Sequence, residues 1–219
     1  MTSVKQVAQD CLGKNPTLSI REDILGVYGN DNPQNRSLKE RLDLIQTTPF
    51  VKVALVTIQG GANGNLQRDL DTANEIYQRD CDTWVYPTAS ITVDRPNLLF
   101  LTQDDCNGSG HSVSDEEDEL FDLGRNLGAN VVGYYINNSS GGFAGCAAHP
   151  PGRRGFWSGN GASPRTWAHE LGHVVGDLSH VSNSDNLMST PTANITNLPA
   201  DLTNSQCQDV QNDPDMESC

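Results

Sequence analysis

His169-Glu170-Leu171-Gly172-His173-Val174-Val175-Gly176-Asp177-Leu178-Ser179-His180 is the stretch on which the reading of this chain turns. Its first five residues read His-Glu-x-x-His, a pattern that carries metal chemistry when it lies on a helix. Residues four apart stack on one helix face, about 6 Å along the axis, so the imidazoles of His169 and His173 can converge on one ion. Glu170 stands beside the first histidine, where its carboxylate can reach a water on the metal and take its proton. A hydrolytic zinc site needs three protein ligands and one open position. The remaining seven residues hold the candidates for the third ligand.

Local signals favour a helix here. Ser163 suits the N-cap, Pro164 the first helical position and Gly176 the stop, so the spacing predicts a helix over 164–176. The competing reading is a helix with two surface histidines and a salt-bridging glutamate. Against it stand the helix signals and the crowding of three of the chain's five histidines into these twelve residues. Trp167, two residues before His169, lies off the metal face and reads as core packing, while His111 and His149 read as loop residues.

Composition bounds the setting. The chain has 219 residues, enough for one sizeable domain or a domain with an extension. Acidic residues outnumber basic ones 28 to 14, for a net charge of −14. That disfavours nucleic acid and anionic membranes as partners. No apolar run approaches the roughly 20 residues of a membrane span, so no membrane insertion is expected. The first fifteen residues are polar and lack the apolar segment of a signal peptide, so a secreted protein would be present here in processed form. Six cysteines (Cys11, Cys81, Cys106, Cys146, Cys207 and Cys219) include no C-x-x-C pair. Their even number and wide scatter fit a secreted, extracellular protein with disulfides. About fifteen pairings are open to six cysteines; Cys207 with Cys219 is expected first, since it would staple a short C-terminal tail.

Residues 1–48 are polar and irregular, with helical spacing only at Leu38, Leu42 and Ile45 in a short helix over 37–45. The first clear strand is 50–58, where Val51, Val53 and Leu55 alternate with Lys52, Ala54 and Val56. A helix is expected over 65–78, strands over 83–93 and 98–102, and a helix opened by Ser114. There Ser114-Asp115-Glu116-Glu117 is a capping-box pattern, and the acidic run 115–119 reads as a solvated first turn. Residues 130–136 form an apolar strand, and short strands are expected within 142–148 and 155–158. A long loop follows the motif helix, and a last helix over 203–211 closes the chain.

With Gly176, His180 and Met188 added, the chain resembles the metzincin clan of zinc metalloendopeptidases. The clan's pattern is H-E-x-x-H-x-x-G-x-x-H, followed by a methionine-containing turn under the metal, and Asn186-Leu187-Met188-Ser189 looks like that turn. The resemblance implies an α/β (α+β) metzincin-like zincin fold: a mixed twisted sheet with an active-site helix and a C-terminal helix. It implies a catalytic domain over 49–219, and an N-terminal extension or leader over 1–48 in which Cys11 either forms a disulfide or blocks the zinc. It further implies one catalytic Zn2+, with His169, His173 and His180 as ligands, Glu170 as the catalytic base and Met188 as a hydrophobic floor. Gly142, Phe143, Ala144 and Gly145, ahead of the motif helix, would bind substrate backbone, and 189–199 would wall a specificity pocket. The expected activity is cleavage of peptide bonds in protein substrates, by a monomer. The alternative is an inactive relative that binds peptide or glycoprotein; intact Glu170, His169 and His173 speak against it.

The chain departs from the clan in one place. The clan's third ligand falls ten residues after the first histidine, a position held here by Ser179, with His180 one residue later. Asp177 reads as an insertion that a loop can absorb. It is also the rival ligand, since it nears the face of His169 and His173 if the helix runs past Gly176.

Overall fold

A computed structural model describes residues 48–61, 66–102 and 113–218. The expected leader, with its helix over 37–45 and Cys11, lies outside the described residues except for Thr48, as do His111 and Cys219.

Strand β1 (Phe50–Ile58) is the hub of the sheet. It pairs in parallel with β2 (Trp84–Val93) on one side and β4 (Val131–Tyr135) on the other. Strand β7 (Gly155–Ser158) extends the parallel set beyond β4, and β6 (Gly145–Cys146) closes the edge antiparallel. The resulting order is β2-β1-β4-β7-β6. Two short strands, β3 (Phe100–Leu101) and β5 (Asn138–Ser139), form a separate parallel ribbon. Among the described residues the helices are α1 (Leu66–Cys81), α2 (Asp115–Asp122), α3 (Pro164–Val174) and α4 (Asn204–Gln211). This is a mixed α/β fold with a mainly parallel sheet, as expected from the sequence.

The alternation in β1 separates two apolar layers rather than core from solvent. Val51, Val53 and Leu55 pack with α1, α3 and α4, and Ala54 and Val56 pack with α2 on the opposite face. Burial on both faces is what parallel sheets with helical crossovers require. Helix α1 buries Leu70, Ala73, Ile76 and Tyr77, one stripe at helical spacing. Against β4 the motif helix sits very close. A Cβ at Gly133 would lie 3.0 Å from Trp167 Nε1, so the bare glycine lets the fully buried indole lie on the sheet. Trp167 meets Phe156 edge to face, with centroids 4.9 Å apart. A buried aromatic of this size is worth about 3–5 kcal/mol against alanine.

Several boundaries shift from the sequence reading. The expected strand over 98–102 becomes a 3-10 turn at Pro96–Leu98 and the two-residue β3. Within 142–148 only Gly145–Cys146 is strand, because Gly142 has φ +70° in the turn before it. The helix opened by Ser114, α2, stops at Asp122, and Leu123 and Leu127 beyond it still pack against the second apolar layer. The acidic run is not wholly solvated either. Glu117 is fully buried: the capping box turns it inward, Ser114 N–H donates to Oε2 at 3.1 Å, and Trp157 Nε1–H donates to Oε1 at 2.9 Å. Burial raises its carboxyl pKa, opposed by the Trp157 bond.

The expected Cys207–Cys219 staple is not formed. Cys207 bonds Cys81 across 126 residues, because α4 packs on the C-terminal end of α1. Cys146 is disulfide-bonded as well. No described helix is long and apolar enough to cross a membrane. Replacing Cys81 and Cys207 together by serine is expected to cost about 2–5 kcal/mol in denaturant unfolding. An unchanged midpoint would show that packing alone joins α1 to α4.

Candidate metal centre

Helix α3 begins with the N-cap expected at Ser163, whose Oγ accepts the Thr166 N–H at 3.2 Å while Thr166 Oγ1 accepts the Ser163 N–H at 3.2 Å. Pro164 takes the first turn, where no N–H is needed. The helix ends at Val174, two residues before the predicted stop, and Val175 is already extended at φ −103°, ψ 102°. Gly176 at φ +105° then reverses the chain. A Cβ there would lie 3.0 Å from Val210 N, so position and conformation both call for glycine. Asp177 follows at φ +49°, in the left-handed region that aspartate tolerates better than most residues. Leu178 is drawn back under the helix, its N–H donating to Gly172 O at 3.2 Å.

The reversal carries His180 to the helix face that bears His169 and His173. Their three Nε2 atoms lie 3.1 Å (His169–His173), 3.2 Å (His169–His180) and 3.0 Å (His173–His180) apart. Among the described residues these three form the group able to hold a metal ion, and Asp177 is not in it.

The ring protons can be placed. His169 Nδ1–H donates to Leu187 O at 2.8 Å, and His173 Nδ1–H donates to Leu178 O. With Nδ1 protonated, a neutral ring has a bare Nε2. Both rings are neutral near pH 7. Burial pulls His169 down to about 4, helped by the charges of His173 and His180, and burial pulls His173 down to about 4, helped by His180. Burial also lowers His180. Two bare nitrogens thus face each other at 3.1 Å, and His180 has at most one Nε2 proton to share between them. A cation among the three satisfies all the lone pairs at once. Tetrahedral zinc with Zn–N bonds of about 2.0–2.1 Å separates its nitrogens by about 3.4 Å, close to this spacing.

Glu170, next on the helix, is buried. Its carboxyl lies against β6, where a Cβ at Gly145 would come within 2.8 Å of Glu170 Cγ and Oε1. Gly145 therefore makes room for the carboxyl. Burial pushes the Glu170 pKa up to about 8.

Met188 is fully buried beneath the helix, and a Cβ on Gly172 would lie 2.9 Å from its Sδ and from Tyr77 Oη. The turn around it links the two halves of the site. Leu187 O orients His169, and Met188 O accepts the N–H of Val181, the residue after His180, at 3.0 Å. Asn186 Oδ1 accepts the Met188 N–H at 2.9 Å, and its Nδ2 donates to Gln206 on α4 at 2.8 Å. Phe143 and Ala144 are exposed and Gly142 lies in the turn ahead of β6. His149 is a loop residue beside Pro150. From the loop over 189–199, Thr192 Oγ1 meets Thr166 Oγ1 at 3.1 Å, at the start of α3.

Sequence reasoning missed Leu178 and Leu187, because any residue supplies a carbonyl. It missed Tyr77, whose Oη–H donates to Ala168 O at 3.0 Å and pins α3 to α1. It also missed Arg154 and Asp213 at the exit of α3. Those charges come from parts of the chain with no motif to connect them.

No family model and no curated protein matches the chain. Solved structures do. A chaperone-substrate complex aligns at 16% identity over 68% of this chain and 32% of that chain, TM-score 0.47. Metalloproteinase-II from Bacteroides fragilis aligns at 17% identity over 66% and 47%, TM-score 0.47. Archaemetzincin from Methanopyrus kandleri aligns at 16% identity over 74% and 94%, TM-score 0.46. The alignments thus span less than half of the first two of these chains.

Two outcomes test this geometry. Asp177→Gly is expected to keep full metal affinity, since glycine adopts φ +49° freely, whereas Asp177→Val is expected to weaken metal and stability together by straining the turn. Equal loss of metal in both variants, measured by equilibrium dialysis, would make Asp177 a ligand. The metal-free fold is expected to lose stability as pH falls from about 6.5 to about 4, since unfolded histidines bind protons in that window while buried His169 and His173 do not. The check is the thermal midpoint in chelator against pH, beside a His169→Gln, His173→Gln variant; identical slopes would refute it.

Proposed function

We propose that this protein is a zinc-dependent endopeptidase of metzincin type, secreted and monomeric, acting on peptide bonds of protein substrates. The observation that carries the reading is the convergence of three Nε2 atoms within 3.2 Å of one another, two of them bare and on the helix that also bears a buried carboxyl. His169, His173 and His180 would hold the zinc, leaving one coordination position open. When bound, the ion supplies a Lewis acid that polarises a peptide carbonyl and makes water acidic enough to attack near neutral pH.

The chain's own groups do the remaining work. The Glu170 carboxylate would take a proton from the attacking water and return it to the leaving amine as the C–N bond breaks. The segment Gly142, Phe143, Ala144 and Gly145 leads into the edge strand against which Glu170 rests and would align an extended substrate. Met188 keeps the floor of the site apolar and fixes its depth through contact with Gly172. The Cys81–Cys207 disulfide suits an oxidising, extracellular setting.

Glu170→Gln is expected to lower cleavage of unfolded casein by about 10²–10⁴-fold. Its zinc content by atomic absorption should match the parent protein. Retained cleavage would refute the role of Glu170, and a parent protein that binds zinc yet cleaves nothing would favour the binding-only alternative.

A further inference from the structure

The three ligands are not held alike. His169 and His173 ride on α3, and each is oriented through Nδ1 by a carbonyl. Among the described residues no such bond holds His180, whose ring is exposed. Its place depends on the backbone between the end of α3 and Val181. That backbone is gripped from outside. Arg154, at the start of β7, donates from Nη2 to the carbonyl of Val174, the last residue of α3. A guanidinium there also complements the negative end of the helix dipole. Arg154 binds Asp213 with both Nη1 and Nη2 at 2.7 Å and Asp215 with Nη1 at 2.6 Å. Asp213 Oδ2 in turn accepts the N–H of Gly176 at 3.0 Å, and its Oδ1 accepts the N–H of Asp215 at 2.9 Å. Asp213 lies in the segment after α4, while Arg154 directly precedes β7 and its carbonyl accepts the Val132 N–H of β4 at 3.1 Å. The clamp thus fixes Val174 and Gly176, the two points that set where the reversal through Asp177 begins.

We infer that the Arg154–Asp213 pair positions the third ligand: by tying Val174 O and Gly176 N–H to the sheet and the C-terminal segment, it aims the turn that presents His180 to the metal. Neither residue touches the metal, so both are positioning residues, and the inference rests on the three-histidine centre proposed above. A purely structural pair would cost stability without changing the affinity of the folded protein for metal. A positioning pair changes that affinity, and does so chiefly through His180.

The test is a double-mutant cycle read by Co2+ titration of the purified full chain, following the visible absorption of the bound ion. Asp213→Asn and Arg154→Met are each expected to weaken Co2+ binding by roughly ten- to hundredfold and to alter the spectrum. In a His180→Ala background each change should lose most of its effect. Glu217→Gln supplies the control. Glu217 sits further along the same tail, bound to Lys52 at 2.7 Å and Asn130 at 3.2 Å, so its loss should lower stability and leave Co2+ affinity intact. If Arg154→Met fails to fold, Asp213→Asn, which keeps size and shape, carries the cycle alone. Unchanged Co2+ affinity in the folded variants, or penalties that add fully to that of His180→Ala, would overturn the inference while leaving the metal centre standing. A parent protein that binds no Co2+ would remove the metal centre itself and the inference with it.

Discussion

Holding three uncharged imidazoles with their Nε2 atoms 3.0–3.2 Å apart is unfavourable in a metal-free chain, because lone pairs face one another across the gap. The surrounding structure has to impose the arrangement. It does so with rigid parts on three sides. Trp167 seats α3 on the sheet over Gly133, Tyr77 ties it to α1, and Met188 presses up beneath Gly172. Carbonyls of Leu187 and Leu178 then fix two of the rings. This is local frustration sustained by a well-packed core, and such sites are where function is expected.

How much of this was legible depends on whether the cause is local. The helix of the site could be read because its cap, its proline and its periodicity lie within a dozen residues of each other. Strand β1 could be read from its β-branched run, yet its alternation was ambiguous, since apolar residues on both faces signal two cores only once helices are known to cover both. The short edge β6 was blurred by glycines, whose φ values at Gly142 and elsewhere answer to turns rather than to pairing. Long-range links were beyond reach. The Cys81–Cys207 bond spans 126 residues, and sequence proximity pointed to the nearer cysteine instead. Glu117 illustrates the same limit: a capping-box glutamate looks solvated until Trp157, 40 residues on, is found donating to it.

His180 owes its place to the same balance of local and long-range constraints. A helix cannot take an extra residue between His169 and His173 without rotating the second ring off the shared face by about 100°. Past Val174 that constraint lapses. There the chain has two fixed points, Gly176, whose N–H is held by Asp213, and Val181, whose N–H is held by Met188 O. Between them the path must start away from the helix axis and return to it. Consecutive positive φ values at Gly176 and Asp177 turn the chain sharply, so it folds back toward the helix within two residues. Aspartate suits the position because its short polar side chain tolerates the left-handed conformation and, exposed here, needs no partner in the core. The same side chain that made Asp177 a rival ligand on paper is therefore accounted for by backbone conformation alone, and the imidazole that meets His169 and His173 is that of His180.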